Sequence, residues 1–445
     1  MSKQNMEFKD SGIPWIGKIP KHWEVIRNKY VFTHKKEIVG SKFKNFDILS
    51  LTKNGIKIIV ESDQKGKVPD SFETYQIVKK DDIVMCLFDL DVSAVFSGIS
   101  KYSGIISPAY KIFNPKENLN FKYAGYFFDF VFVNRKFKQY SKNIRFTLGT
   151  DEFMNLKILY PPLNEQEKIA EFLDKKCEII DKRLSNLERK IKSLKEYKKS
   201  LISECVTKGL NPKNMEFKDS GIPWIGQIPK HWEVTKIKYV IDILTDYTAN
   251  GSFADLAKNV QYLDYEDYAR LVRLTDLREN LNNFGIYVDK NSYEYLSKSS
   301  LFGKEILVAN VGAYSGLFWE MPKVKFKATL APNMFMIKTN KKIMQHYFYY
   351  LGISNIVFDI LQQKAITTAQ PKLNKTDIKT IYIPLPPLNE QKEIAEFLDK
   401  KCEKIDRLNE NYTKQITALK EYKKSLIYEC VTGKNIFDCS VKKIS

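Results

Sequence analysis

The sequence predicts an α+β fold: two mixed α/β domains separated by two long helices that pair as an antiparallel coiled coil with pseudo-two-fold symmetry. Three observations lead there. Met6 to Val25 reads MEFKDSGIPWIGKIPKHWEV, and Met215 to Val234 repeats it with only Lys18 exchanged for Gln227. A second pair, PPLNEQ…IAEFLDKKCE…LKEYKKSLI…CVT, begins at Pro161 and again at Pro386. The segments between these repeats share no such match. One chain therefore carries two constant frames, each with a different insert. Equal surfaces bind equal partners, and unequal surfaces bind unequal targets.

The elements follow in chain order. Residues 1–160 form a first frame and its insert. Candidate strands are Phe46 to Leu51, Gly55 to Val60, Asp82 to Phe88 and Ala109 to Phe113, with an aromatic-rich helix around Tyr123 to Tyr140. Residues 161–208 form the first long helix. Pro161-Pro162 cannot continue a helix backward, Asn164 is a good N-cap, and Glu167 completes a capping box. Apolar residues then recur at three-four spacing: Leu173, Cys177, Ile180, Leu184, Leu187, Ile191 and Leu194, then Leu201 and Cys205 after a break at Lys198. That is a coiled-coil seam over about four heptads. Gly209 stops it.

Residues 209–385 form the second frame and insert, with strands at Lys236 to Leu244, Ile306 to Ala309 and Met334 to Lys338 and a helix around Ile343 to Gln363. Residues 386–433 form the second long helix. Asn389 caps it, but Lys392 replaces the box glutamate. Its seam runs Leu398, Cys402, Ile405, Asn409, Tyr412, Ile416, Leu419, Lys423, Leu426 and Cys430, and Gly433 stops it. Asn409 stands where the first copy has Leu184, and a lone polar seam residue fixes register or orientation. Residues 434–445 form a tail.

Offsets separate the register-dependent part from the free part. Met215 follows Met6 by 209 positions, whereas Pro386 follows Pro161 and Leu419 follows Leu194 by 225. The second insert is therefore 16 residues longer, and the helices tolerate no gap. A helix of about 44 residues is roughly 65 Å long. Helix one ends where the second frame begins, and helix two starts where the second insert ends. Parallel helices would oblige that insert to bridge the full length. Antiparallel helices need no bridge and predict a dumbbell.

Composition narrows the function. The 445 residues are 43% hydrophobic and 13% aromatic, which marks a globular chain. No run of about 18 apolar residues occurs, so no membrane span is expected. The start, Met1-Ser2-Lys3-Gln4-Asn5, lacks an apolar signal region, and the cytoplasm is the expected location. Of six cysteines none forms a Cys-x-x-Cys pair, and four fall on apolar helix positions, as buried thiols do. A net charge of +19, from 72 Lys+Arg against 53 Asp+Glu, suggests a polyanionic partner.

Catalytic signatures are missing. Gly303-Lys304 and Gly433-Lys434 lack the earlier glycine and the hydroxyl residue of a phosphate loop. Neither His-Glu-x-x-His nor Gly-x-Ser-x-Gly occurs. His22 and His231, each beside a tryptophan, read as parts of a packed turn. Tyr160-Pro161-Pro162-Leu163 faintly echoes an amino-methyltransferase core but lacks its leading Asn or Asp and its following aromatic. Asp181 with Glu188-Arg189-Lys190 lies on the coiled coil and reads as a solvated face.

What is present suits DNA. Phosphates call for Lys and Arg, and base edges for forked or amide side chains. The first insert offers Lys101-Tyr102 and the cluster holding Lys142, Arg145 and Thr147. The second offers Tyr314, Lys323 and Lys325, and the polar stretch Gln362, Thr367, Thr368, Gln370 and Lys372. Gln370 and Arg145 precede their helices by similar distances and suggest related loops.

These residues resemble the specificity subunit of type I restriction-modification systems over nearly the whole chain. PPLNEQ followed by IAEFLD, twice, and SGIPWIG-x-IPKHWEV, twice, carry most of the likeness. Val78-Lys79-Lys80-Asp81-Asp82-Ile83-Val84 with Ser107-Pro108-Ala109-Tyr110 is similar to that family's recognition-domain pattern, as is Thr367 to Asn374 before the second helix. Asp82 is a departure, since the family often has Gly-Asp there. The resemblance implies two mixed α/β target-recognition domains, residues 1–160 and 209–385, reading a bipartite asymmetric site in double-stranded DNA. It implies two methyltransferase subunits on the constant regions and two restriction subunits joining them. S-adenosylmethionine, ATP and Mg2+ would belong to those partners, with no cofactor or metal on this non-catalytic chain.

The rival from another class is a scaffold whose inserts bind proteins, with the charge incidental. The DNA reading makes the helices a ruler between half-sites. Deleting one heptad from both helices should change the spacer recognised in methylation mapping, and an unchanged spacer would reject the ruler.

Overall fold

A computed structural model of the chain describes residues 7–52, 55–59, 71–90, 97–141, 146–365 and 371–435. The chain packs as two compact units. One is Met1–Glu188 with Thr413–Ser445, and the other is Arg189–Tyr412. Each takes part of both long helices.

In the first unit, strands Phe8–Asp10 and Lys18–Pro20 pair antiparallel and lead into Trp23, which is fully buried. Glu24–Arg27 pairs antiparallel with Lys157–Tyr160. The two ends of the insert are thus tied together just before Pro161. The second unit repeats this with Phe217–Asp219 on Gln227–Pro229 and Glu233–Lys236 on Tyr382–Leu385.

The long helices are Leu163–Lys208 and Leu388–Val431. Both start before the expected caps Asn164 and Asn389, which lie inside the first turn. The Pro162 carbonyl accepts from the Glu165 and Gln166 amides at 2.8 and 3.1 Å. The first-turn side chains serve tertiary contacts instead. Glu165 accepts from Trp23 Nε1 at 2.8 Å and lies 2.8 Å from His22 Nε2. Buried Gln166 accepts from the Asn120 amide at 2.9 Å and donates to the Pro161 carbonyl at 2.8 Å. Glu390 and Gln391 repeat these roles on Trp232, His231, Met344 and Pro386. The repeated Glu-Gln is a pair of anchors, one for the frame and one for the insert. Gly209 and Gly433 stop the helices in the left-handed region, at φ of 74° and 72°.

The helices run antiparallel within each unit. In the first, Asp181 pairs with Lys423 at 2.7 Å and Glu188 with Lys420 at 3.8 Å. In the second, Lys198 pairs with Asp406 at 2.7 Å, and Lys190 lies over the Tyr412 ring. Leu173, Ile180, Leu187, Leu398 and Ile405 are buried, and Leu184, Ile191, Leu194, Asn409, Ile416 and Leu419 half-buried. The described cysteines are all buried, while Cys439 lies outside the described residues.

The inserts are unlike in sequence but alike in topology. The first has a four-stranded antiparallel sheet in the order Phe32–Lys35, Lys111–Pro115, Ile83–Met85, Ser97–Ile99. The second repeats it as Ile241–Asp246, Met334–Thr339, Ile306–Ala309, Phe318–Glu320. Beside it, Gln76–Val78 pairs with Gly104–Ile106, and a parallel bridge from Ile105 to Ile48 leads to the hairpin of Leu49–Thr52 and Gly55–Ile58. Its counterpart is a five-stranded sheet in which Lys327–Leu330 pairs antiparallel with Ser300–Leu301 and parallel with Ala269–Val272.

The shared turns use different residues. Asp82 is buried and accepts from the Lys79 amide at 2.7 Å and Asn114 Nδ2 at 2.9 Å, with Lys35 at 3.3 Å. Glu305 accepts from the Phe302 and Gly303 amides at 3.0 and 2.8 Å, with Lys338 at 3.6 Å. The residues before them, Asp81 and Lys304, are left-handed at φ of 70° and 71°. Asp81 thus adopts the conformation that glycine adopts most readily, and the turn survives the departure from Gly-Asp.

Several predicted elements are shorter or divided. Lys236 to Leu244 is two strands parted by the turn Ile237–Tyr239. Ile343 to Gln363 is two helices, Gln345–Ile353 and Asn355–Ala365, because Ser354 is extended (ψ 154°) and turns its hydroxyl to the Leu351 carbonyl. Tyr123 to Tyr140 is the helix Phe121–Val133 followed by a separate turn. The strand sought over Phe46 to Leu51 starts at Leu49, Asp82 to Phe88 contracts to Ile83–Met85, and Ala109 to Phe113 starts at Lys111. Gly55 to Val60 ends at Ile58, and Val60 lies outside the described residues.

Each insert is latched to a long helix by equivalent groups. Lys122 and Tyr126 reach Asp174 at 2.7 and 2.8 Å. His346 and Tyr350 reach Asp399, both at 2.7 Å. His346 Nδ1 also meets Glu320 at 2.6 Å. The bond to Glu320, reinforced by Asp399, outweighs burial and pushes the imidazole up to about 9. A pKa raised on folding gives stability that is complete below the unfolded value near 6.5 and lost as pH rises through about 9. Hydrogen exchange at Gln345–Ile353 should therefore quicken, after correction for intrinsic rates, between pH 6.5 and 9. His346→Gln should abolish that trend.

Candidate nucleic-acid interface

Each insert's central hairpin has a tip and a base, and the predicted site residues divide between them. In the second unit, Ile306–Ala309 and Phe318–Glu320 are joined by the tip loop 310–317. The chain leading to the second long helix clamps this loop. The Gly312 amide donates to the Pro371 carbonyl and the Leu373 amide to Asn310, both at 2.8 Å. Ser315 Oγ donates to Gly312 at 2.8 Å and to Pro371 at 3.3 Å. Gln362 donates its amide to the Ser315 carbonyl. Gly316 is left-handed at φ of 85°, and a Cβ there would meet Leu361 Cβ at 2.8 Å, so the helix packs onto the turn only because the side chain is absent.

The tip brings three predicted residues together. Gln362 holds the loop, Lys372 bridges to Val311, and Tyr314 stands 36% exposed on a fixed backbone. Thr367, Thr368 and Gln370 lie outside the described residues. In the first unit the corresponding clamp is made by the Leu148 amide on Leu87, at 2.7 Å, and the Leu90 amide on Phe146, at 3.3 Å. Half-buried Thr147 lies within it, and Lys142 and Arg145 lie outside the described residues.

The remaining predicted residues sit at the hairpin base. Lys101 and exposed Tyr102 form the turn after Ser97–Ile99, where Ser100 Oγ donates to the Tyr102 carbonyl at 2.7 Å. Lys101 lines a cleft of about 890 Å³ with Asp129, Asp174, Asp181 and Lys423. Lys323 lines a cavity of about 650 Å³ with Glu320, His346 and Asp399. Lys325 is exposed on the next stretch of chain. The structure does not bring these lysines to the tip.

Sequence reasoning missed Arg278. Its guanidinium carbon lies 4.5 Å from the centroid of the Tyr314 ring. Arg278 ends the short helix Leu274–Arg278, which is fixed from beneath by Asp276. That carboxylate is wholly buried. It accepts from the Arg273 amide at 2.8 Å, Arg273 Nη2 at 2.9 Å and Asn283 Nδ2 at 2.6 Å, and lies 3.6 Å from Arg270 Nη2. Burial alone would raise its pKa, but the hydrogen bonds from Arg273 and Asn283 hold it below the ordinary carboxylate range. Arg270 donates onward to the Leu281 and Asn283 carbonyls, both at 3.0 Å. Nothing in the spacing of RLVRLTDLREN marks which arginine is structural. Only the fold separates Arg270 and Arg273 from Arg278.

An exposed arginine on an aromatic ring, a tyrosine hydroxyl and a nearby lysine are donors suited to base edges and phosphates. Among the described residues no group of three or more His, Cys, Asp or Glu can hold a metal ion, and no helix is long and apolar enough to cross a membrane.

Paired inserts of one topology on duplicated helices define a two-domain recognition subunit. The chain belongs to the type I restriction modification DNA specificity domain family, whose model matches residues 20–194 and 229–418. It is 26% identical to the MjaX specificity subunit of Methanocaldococcus jannaschii, over 94% of this chain and 95% of that one. It is 29% identical to the MjaVIII specificity subunit of the same organism, over 63% of each chain. The EcoBI specificity subunit of Escherichia coli is 23% identical over 61% of this chain and 57% of its own. A chain from a solved structure on assembly and conformational transition of the type I R-M system shares the fold, with a TM-score of 0.68 at 13% identity over 93% of this chain and 99% of that chain.

Asp276 is the keystone of the arginine network. Asp276→Ala leaves Arg270 buried without its carboxylate, and about 3–5 kcal/mol should be lost from the second unit in urea unfolding. Asp276→Asn, which keeps an acceptor, should lose less.

Proposed function

We propose that this chain is the DNA-reading subunit of a type I restriction-modification assembly. One recognition domain addresses each half of a bipartite, asymmetric site in double-stranded DNA. The observation that carries this reading is the contrast between like and unlike surfaces. The two inserts share a topology, yet the clamping segment that ends on a buried leucine in both carries Phe146 and Thr147 in one and Pro371 and Lys372 in the other, where Tyr314 and Arg278 stand beside it. One scaffold bearing two sets of surface groups is what reading two different half-sites requires. The net charge of +19 supplies the attraction for phosphates.

The constant parts serve partners. Exposed apolar residues recur in equal pairs: Leu163 and Leu388 at 42% and 49%, Tyr30 and Tyr239 at 59% and 56%, and Tyr197 and Tyr422 at 54% each. Duplicate patches suit two copies of one methyltransferase subunit, with two restriction subunits joining them. S-adenosylmethionine, ATP and Mg2+ then belong to those partners, this chain carries no catalysis, and the assembly works in the cytoplasm.

A salt titration separates this reading from a protein-binding scaffold. With its methyltransferase partner, log affinity for cognate duplex should fall linearly with log salt, by roughly 0.9 per phosphate contact. A salt-independent response would favour the scaffold.

A further inference from the structure

We infer that Arg278, held over the Tyr314 ring, reads a guanine in the half-site addressed by the second recognition domain. The inference rests on the DNA-reading function proposed above and names one residue that sets its specificity.

Three observations converge. First, the guanidinium is exposed and lies over the Tyr314 ring, 4.5 Å from its centroid. A cation–π contact uses none of the five N–H donors of a guanidinium as a conventional hydrogen bond, so they remain for a further partner. Second, both partners are rooted in rigid backbone. Tyr314 stands on a tip loop held by Pro371, Leu373 and Gln362, and Arg278 follows buried Leu277 on the helix fixed by Asp276. Third, Arg278 has no ion pair among the described residues, whereas Arg270 and Arg273 are both committed to Asp276.

Together these describe a preorganised donor fork. A free arginine loses much rotamer freedom when it binds, and the ring has already restricted this one. A forked, rigid, unpaired cation matches the O6 and N7 acceptors that guanine shows in the major groove. Lys372, nearby through its bridge to Val311, is a point charge suited to a phosphate instead. The cations at this tip are then divided by chemistry: a fork for a base and an ammonium for the backbone.

The test uses the full chain expressed with its methyltransferase partner in a host lacking other modification, with modified sites mapped across the genome. Wild-type protein should give a motif containing a G·C pair in one half. Arg278→Lys keeps the charge but not the fork. It should relax that single position, losing from about fivefold to over a hundredfold of discrimination, with the other half unchanged. Tyr314→Leu should relax the same position by a smaller factor. An unchanged motif in both Arg278→Lys and Arg278→Ala overturns the inference while leaving the DNA-reading function intact. Full specificity in Arg278→Lys with uniformly weaker binding in Arg278→Ala also overturns it, since that marks a phosphate contact. No sequence-specific modification by the wild-type complex would instead sink the DNA-reading function itself.

Discussion

The pairing of the duplicated helices is the constraint on which the rest depends, and two equivalent ion pairs fix its register. Lys423 meets Asp181 and Lys198 meets Asp406, each at 2.7 Å and each within one unit. Both lysines occupy positions where the seam would otherwise be apolar. Their side chains are 29% and 27% exposed, so the pairs contribute little stability, on the order of 0–1 kcal/mol. Buried Leu173, Ile180, Leu187, Leu398 and Ile405 supply the packing. The ion pairs select among registers, because sliding either helix would set an ammonium against leucine. Antiparallel pairing also brings the start of one helix and the end of the other to the same frame. Trp23 donates to Glu165 in one first turn, and a Cβ on Gly433 would approach its ring within 3.1 Å. Trp232 has the same two neighbours in Glu390 and Gly209.

How much of this was legible follows from which residues repeat. The helices, their stops at Gly209 and Gly433 and their antiparallel sense could be read because a register-dependent element keeps its spacing. The break at Lys198 was visible as an interruption and its counterpart Lys423 stood in the second seam, but the meaning of neither was legible, since Asp406 and Asp181 lie far away in sequence. The helix starts were misplaced by two residues for a similar reason. Asn164 has the chemistry of a cap, yet Glu165 and Gln166 are held by Trp23 and Asn120, and these contacts override the local preference. The common topology of the inserts was invisible. Asp82 and Glu305 fill one structural role with different residues, as do Asp81 and Lys304 at the left-handed position.

The candidate site was legible only as composition. Lysines and amides near the inserts' loops could be counted, but their placement depends on the hairpin. Lys101 and Lys323 follow the base, while Tyr314 lies in the tip loop and Lys372 bridges to it at Val311. Arg278 escaped notice because its neighbours Arg270 and Arg273 are identical in type. Burial makes the distinction. A wholly buried Asp276 binds two arginines and leaves the third to face solvent over a tyrosine ring. The same network also explains Gly285, where a Cβ would lie 2.5 Å from Arg270 Nε.

The latches between inserts and helices show how duplicated parts diverge without losing their geometry. Tyr126 with Asp174 and Tyr350 with Asp399 are alike to within 0.1 Å. Beside them the first unit has Lys122 with one acidic partner, and the second has His346 between two. An imidazolium flanked by carboxylates stays charged near neutrality, so both units present a cation at this point. A second carboxylate, Glu320 from the hairpin base, is what keeps a histidine equivalent to a lysine there. The hairpin that carries the candidate reading tip is thereby joined at its other end to the constant helix through a single proton-dependent contact.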